Sequence, residues 1–285
     1  MNIMKFRPLF FLISFSLIGI SLFSIIKWGF RYSEDFKGGA TFEIKMPNTQ
    51  DKTKIEKIFN DQLVGLRSVS QSSEIYTVKL LDITQDKKIV LEKNLKALDK
   101  DFEVRLFSTR GPSLGRELIK KTIYAIIFSS LALLLFIGSR FSDISFGVGA
   151  VLAMFHDSFI LIGMFSLLGH FFGAELDTLF VTALLTTLSA SVHDTVVTFD
   201  RIRELKRFTA TLSWVELANR AVTEVIVRSI NNSMTIVFML LSLVTLGGST
   251  TRWFAAALLI GVVCGTYSST AVAIPLVLLF KRKQK

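Results

Sequence analysis

The chain has 285 residues, is 51% hydrophobic with 26 Phe and only 4 Pro, and has a mean hydropathy of +0.51. That is too apolar for an ordinary soluble domain, so membrane topology is the first question. A single cysteine, Cys264, excludes an internal disulfide framework and a cysteine-based metal site, and the net charge of +10 is read as topology rather than as a nucleic-acid surface.

The first apolar segment, about 9–27, follows Lys5 and Arg7. It has no small-x-small cleavage site and ends in Ile25, Ile26, Lys27 and Trp28, so an uncleaved anchor is expected. Residues 30–118 then form a polar stretch of their own. ATFEIKM predicts a strand. DKTKIEKIFNDQL predicts a helix with Ile55, Ile58, Phe59 and Leu63 on one face. GLRSVSQ and EIYTVKLLD are two short extended runs. QDKKIVLEKNLKALD is amphipathic through Ile89, Val90, Leu91, Leu95 and Leu98, and FEVRLFST closes as a strand. The order β-α-β-β-α-β is that of a ferredoxin-like domain. This stretch holds no His, no Cys and no Gly-rich phosphate loop, so binding or scaffolding is its expected role. RGPSLGREL reads as a stiff turn.

Five more apolar segments follow, about 119–138, 144–168, 176–199, 225–246 and 254–280. With the N-terminus in the cytoplasm, the inner pieces carry Lys5, Arg7, Arg140, Arg201, Arg203, Lys206, Arg207, Arg220, Lys281, Arg282, Lys283 and Lys285. The two short outer loops carry only Arg252, as the positive-inside rule requires. The expected architecture is a polytopic α-helical membrane protein with six spans and both termini inside. Its parts are 1–29 (N-terminus and first span), 30–118 (outer, periplasmic domain), 119–280 (five-helix bundle) and 281–285 (basic tail). Gly261 and Gly265 in the last span have the small-xxx-small spacing of close helix packing, within the chain or with a partner.

Ionisable residues inside spans are expensive and face a bundle interior or water. Asp157, Asp194 and Arg228 are the main candidates, with His156 and His193 each preceding a carboxylate. At 1.5 Å per residue, Asp194 lies roughly 9 Å and Arg228 roughly 6 Å from the inner ends of consecutive spans, and Asp157 about 21 Å in. Thr187, Ser191, Asp194 and Thr198 form one polar stripe, and Arg228, Asn231, Asn232 and Thr235 another. Two such stripes are expected to line a shared hydrated path, with Asp194 and Arg228 paired. Desolvation favours a neutral Asp194 and a nearby guanidinium favours its carboxylate, so helix movement is expected to drive proton uptake and release. His193 is a further candidate for the relay; the plain alternative is a buried pair that fixes helix register. No GxxxxGK[ST] stretch occurs, so ATP hydrolysis is not expected. Three His in all, and flanking runs MFHDSF and SVHDTV, give no basis for a metal phosphohydrolase or an aspartyl protease.

Several stretches together resemble the SecF family, the smaller subunit of the SecD–SecF complex of bacterial protein secretion. They are DFKGGA (Asp35 to Ala40), Gly111, Pro112, Gly115, Glu117 and Leu118, the pair His156 and Asp157, DTVVTFDRIRE (Asp194 to Glu204), RSINNSMT (Arg228 to Thr235) and GTYSS (Gly265 to Ser269). The resemblance is collinear over nearly the whole chain. It implies a bacterial inner-membrane protein in the wider group of proton-driven membrane proteins. It also implies a SecD partner, the SecYEG channel and SecA acting in earlier steps, and unfolded secretory polypeptides as clients. The proton motive force would be the energy source, with no metal or cofactor, and Asp194 would carry the proton with Arg228 as its partner. The rival expectations are a proton-coupled exporter of small molecules and a structural assembly factor of a channel.

Overall fold

The structure, a computed structural model, describes every residue except 1, 50, 63, 82, 111, 142, 210 and 283–285. Leu63, Gly111, Lys283 and Lys285 of the sequence reading therefore lie outside the described residues. A 3-10 turn, Ile3–Phe6, leads into α1 (Arg7–Trp28), where Pro8 occupies the first turn and its missing N–H leaves no bond unmade. Gly29, at φ 64°, ends the helix with its N–H on the Ile25 carbonyl at 3.0 Å. Then come α2 (Glu34–Lys37), β1 (Gly39–Lys45), α3 (Lys52–Asp61), β2 (Leu66–Ser72), β3 (Ile75–Leu80), α4 (Gln85–Leu98) and β4 (Glu103–Arg110). The rest is helical: α5 (Pro112–Arg140), α6 (Ile144–Phe172), α7 (Thr178–Phe208), α8 (Trp214–Leu246), α9 (Ser249–Ser268), a π-helical turn (Ser269–Ala273) and α10 (Ile274–Arg282).

These elements fall into two compact units, Tyr32–Ile123 and Met1–Arg31 with Tyr124–Lys285. The first holds a four-stranded antiparallel sheet in the order β2-β3-β1-β4. Of its two inner strands, β1 turns Ala40, Phe42 and Ile44 into a core shared with Ile55 and Phe59 of α3 and Leu91 and Leu95 of α4. Asp51 caps α3 by accepting the Thr53 N–H at 3.0 Å. Ile89 and Val90, expected on the buried face of α4, are exposed. They lie about 200° and 100° around the helix from Leu91, so only the 91/95/98 row can face the sheet. RGPSLGREL is not a turn. Pro112 opens a helix that runs unbroken to Arg140. Gly115 in that helix lies against the Phe36 carbonyl, whose carbon a Cβ would meet at 2.9 Å.

The second unit contains the apolar helices. Among the described residues six helices are long and apolar enough to cross a membrane: Ile3–Trp28, Gly115–Arg140, Ile144–Phe172, Thr178–Phe208, Trp214–Leu246 and Thr251–Lys281. α6, α7 and α9 form the centre, with α1 against α6 and α8 against α7 and α9. Gly163 lets Ser21 of α1 approach α6, and Ser24 donates to Ser166 at 3.0 Å. Gly261 and Gly265 pack within the chain: Thr187 and Ser191 of α7 lie against them, with Ser191 Cα 3.3 Å from where a Gly265 Cβ would stand. The sixth span is not a uniform helix. Pro275 donates no hydrogen bond, and the π turn just before it accommodates the interruption.

Candidate functional site

Two carboxylates lie within the bundle, each in its own hydrogen-bonding environment. Asp157, on α6, is 4% exposed. Its Oδ2 accepts from Ser191 Oγ of α7 at 2.6 Å and from Ser268 Oγ of α9 at 2.5 Å. Its Oδ1 lies 2.9 Å from Nδ1 of its own neighbour, His156. Three helices therefore meet on one side chain. The other ring nitrogen, His156 Nε2, is buried and has no hydrogen-bond partner among the described residues.

Asp194, on α7, is less enclosed, with 18% of its side chain exposed. It accepts from Ser229 Oγ of α8 at 2.9 Å. His193 lies outward with 75% of its side chain exposed, its Nδ1 3.7 Å from Asp194 Oδ1. Thr187, Ser191 and Thr198 of the same stripe are buried, but their hydroxyls are occupied. Thr187 donates to the Leu184 carbonyl, Thr198 to the Asp194 carbonyl, and Ser191 to Asp157.

The second predicted stripe faces elsewhere. Arg228, Asn231, Asn232 and Thr235 are all exposed, and among the described residues Arg228 makes no ion pair with Asp194. The α8 face that meets the bundle carries Ser229 and Ser233 instead, the latter 2.6 Å from Thr266 of α9. One residue along a helix is about 100° around it, so Arg228 and Ser229 cannot both face α7. The expectation paired polar residue with polar residue; hydroxyls small enough for close helix contact occupy the packed face. Ser229, Ser233 and Ser268 were missed as partners, although the i, i+4 spacing of the first two is a helical-face signal.

One end of the bundle is tied by ion pairs. Arg201 reaches Glu224 of α8 at 2.5 Å and Glu204 at 2.6 Å, and Arg220 reaches Glu224 at 3.1 Å. Arg140 pairs with Asp200, which Arg203 also approaches at 3.3 Å, and Lys281 pairs with Asp143. Asp143 caps α6 through the Ser145 N–H at 3.1 Å. Burial pushes its carboxyl up, but Lys281 and the Ser145 donors outweigh this and hold it below the usual range.

Six membrane-length helices, a separate antiparallel sheet unit and two carboxylates set among bundle hydroxyls define the class, a multi-pass membrane protein. The profile of the family "Protein export membrane protein SecD/SecF, C-terminal" matches residues 90–283. The chain is 37% identical to the protein translocase subunit SecF of Thermobaculum terrenum over 94% of this chain and 90% of that one. It is 36% identical to SecF of Sebaldella termitidis over 100% and 93% of the two chains. A crystal structure of SecDF from Thermus thermophilus superposes with a TM-score of 0.85 at 30% identity, covering 99% of this chain but only 39% of that one. The chain belongs to the SecD/SecF family of protein export membrane proteins.

Proposed function

We propose that the chain is a SecF-type subunit of the Sec machinery, embedded in the bacterial inner membrane, that couples proton flow to late steps of polypeptide export. The observation that carries the proton reading is Asp194, an intramembrane carboxylate whose one side-chain hydrogen-bond donor among the described residues is Ser229 of α8. A side chain held so lightly can exchange its partner. Arg228 is the next residue on α8, and a roll of that helix by part of one 100° step brings the guanidinium toward Asp194 in place of Ser229. The charged carboxylate is then favoured in one arrangement and the neutral acid in the other, which is what alternating proton uptake and release requires. His193 and the remaining stripe residues are supporting groups in this reading, and no cofactor or metal takes part. The function is transport, not enzymatic turnover.

A SecD-type partner is supported by α8. Arg228, Asn231, Asn232 and Thr235 form an exposed polar face on a membrane-length helix, and such a face needs protein or water to cover it. The fused SecDF chain of Thermus thermophilus, 39% of whose length this chain covers, has ample length for the covering part. The 30–118 domain is read as ferredoxin-like, supported by its element order and sheet order. The basic residues between the spans support a reading with both termini inside; the domain is then outside, among secretory polypeptides after SecYEG and SecA have acted. The test is export in cells carrying Asp194→Asn at normal expression. Loss of proton-dependent export with normal membrane insertion supports the reading; wild-type export under an intact proton gradient refutes it and favours the structural assembly factor.

A further inference from the structure

Resting on the proton-coupling reading above, we propose that His156 and Asp157 together form a second proton-binding station in this bundle, separate from Asp194, whose charge sets how firmly α9 is tied to α6 and α7. Three observations carry this. First, Asp157 is buried and every hydrogen bond it makes comes from a group able to follow a change of charge: two serine hydroxyls and a neighbouring imidazole. Second, His156 Nε2 is buried with no partner among the described residues, so one ring nitrogen is left without a hydrogen bond inside the bundle. A buried polar atom left unpaired is unusual in a packed interior and calls for a role, which a proton-accepting nitrogen supplies. Third, the Ser268 tether sits immediately before the π turn Ser269–Ala273 and close to Pro275, the least regular part of the sixth span. Such π turns are frequent at functional sites.

The proton balance is simple. With Nδ1 protonated and donating to an ionised Asp157, and Nε2 bare, the pair carries one negative charge. One proton arriving at Nε2 makes an imidazolium–carboxylate pair of zero net charge; its departure restores the first state. No other bond forms or breaks. In the negative state the carboxylate draws strongly on Ser191 and Ser268, because hydrogen bonds to a charged acceptor are about twice as strong as neutral ones. In the neutral state the imidazolium competes for that charge and the pull on Ser268 weakens, freeing the π turn to move. The titratable groups around the pair are Asp194, one turn beyond Ser191 on α7, and Cys264, one turn before Ser268 on α9. The ion pair of Lys281 with Asp143 lies at the inner end of α6 and α10.

The test uses the full chain co-reconstituted with its SecD-type partner in proteoliposomes, with an entrapped pH-sensitive dye reporting proton flux. Asp157→Asn keeps an oxygen acceptor for both serines but does not ionise, and His156→Asn keeps a donor toward Asp157 but removes Nε2. Both are expected to lose most of the flux while the thermal midpoint of the complex stays close to wild type. Ser268→Ala removes the α9 donor from Asp157 and is expected to change the pH dependence of the flux from the wild-type profile. Wild-type flux in either asparagine variant overturns the proposal. So does an unshifted Ser268→Ala profile, which would leave Asp157 with a packing role even if Asp157→Asn folds poorly. Absence of flux in the unmodified complex refutes the proton-coupling reading itself; flux abolished by Asp194→Asn but untouched by Asp157→Asn refutes only the second station.

Discussion

A carboxylate's behaviour in this molecule follows from its donors. Asp99, 2% exposed in the sheet unit, shows this outside the membrane. Burial pushes its carboxyl up, but the Asn48 side chain and the Asn48 and Asp101 backbone N–H groups outweigh burial and hold it below the usual range. Its folded value lies below its unfolded one, so its contribution to stability is present above about pH 4 and lost as pH falls through the folded value. The protection of the Asn48 amide against hydrogen exchange, relative to an unprotected amide at the same pH, should hold from neutral pH to about 4 and fall below, because this N–H bonds Asp99 Oδ2 at 2.9 Å. Asp99→Asn should flatten that dependence. Asp157 and Asp194 were legible in the sequence because a charge in an apolar run stands out. Their serine partners were not, because Ser and Thr are ordinary residues in membrane helices and only the packed neighbour gives them a role.

The helices of the bundle meet through small residues, and this separates one glycine from another. Gly261 lies against Thr187, whose Cβ a Gly261 Cβ would meet at 2.6 Å, whereas Gly19 on α1 has nothing within 4 Å. Alanine gains up to about 1 kcal/mol of helix propensity over glycine at either position. Gly19→Ala should therefore leave stability unchanged or slightly raised. Gly261→Ala should lower it by about 1–3 kcal/mol, because α7 and α9 must separate. Thermal unfolding of the purified protein in one detergent distinguishes the two. The helices themselves were legible from hydropathy. Their lengths were underestimated at polar ends: α8 begins at Trp214 rather than near 225, since Glu216, Arg220 and Glu224 are charged yet in phase with the helix. A hydropathy window stops at charge; a helix stops at a cap, here Ser213 with its capping box to Glu216.

At the scale of the whole molecule, the unusual surface is the polar face of α8. The exposed face of α5 is apolar, as Phe128 and Leu135 illustrate, and suits lipid, whereas the exposed Asn231 and Asn232 of α8 do not. Asn231→Cys is expected to cross-link to a cysteine on the SecD-type partner and to be shielded from a lipid-soluble thiol reagent in the complex. Phe128→Cys should react with that reagent whether or not the partner is present. Equal reactivity of the two positions in the complex would remove the support for a partner on this face.

By itself the sequence determined the number of membrane-length helices, the α/β order of 30–118 and the two carboxylates set in apolar runs. Those depend on composition and period, which are properties of residues along one line. Tertiary structure decided which way each helix is turned. It put Ser229 rather than Arg228 against Asp194, placed Gly261 and Gly265 within the chain, and gathered three helices on Asp157. The physical reason is that a helix with polar residues on two faces has no unique inward side until its neighbours choose one, and they choose by close packing of small groups.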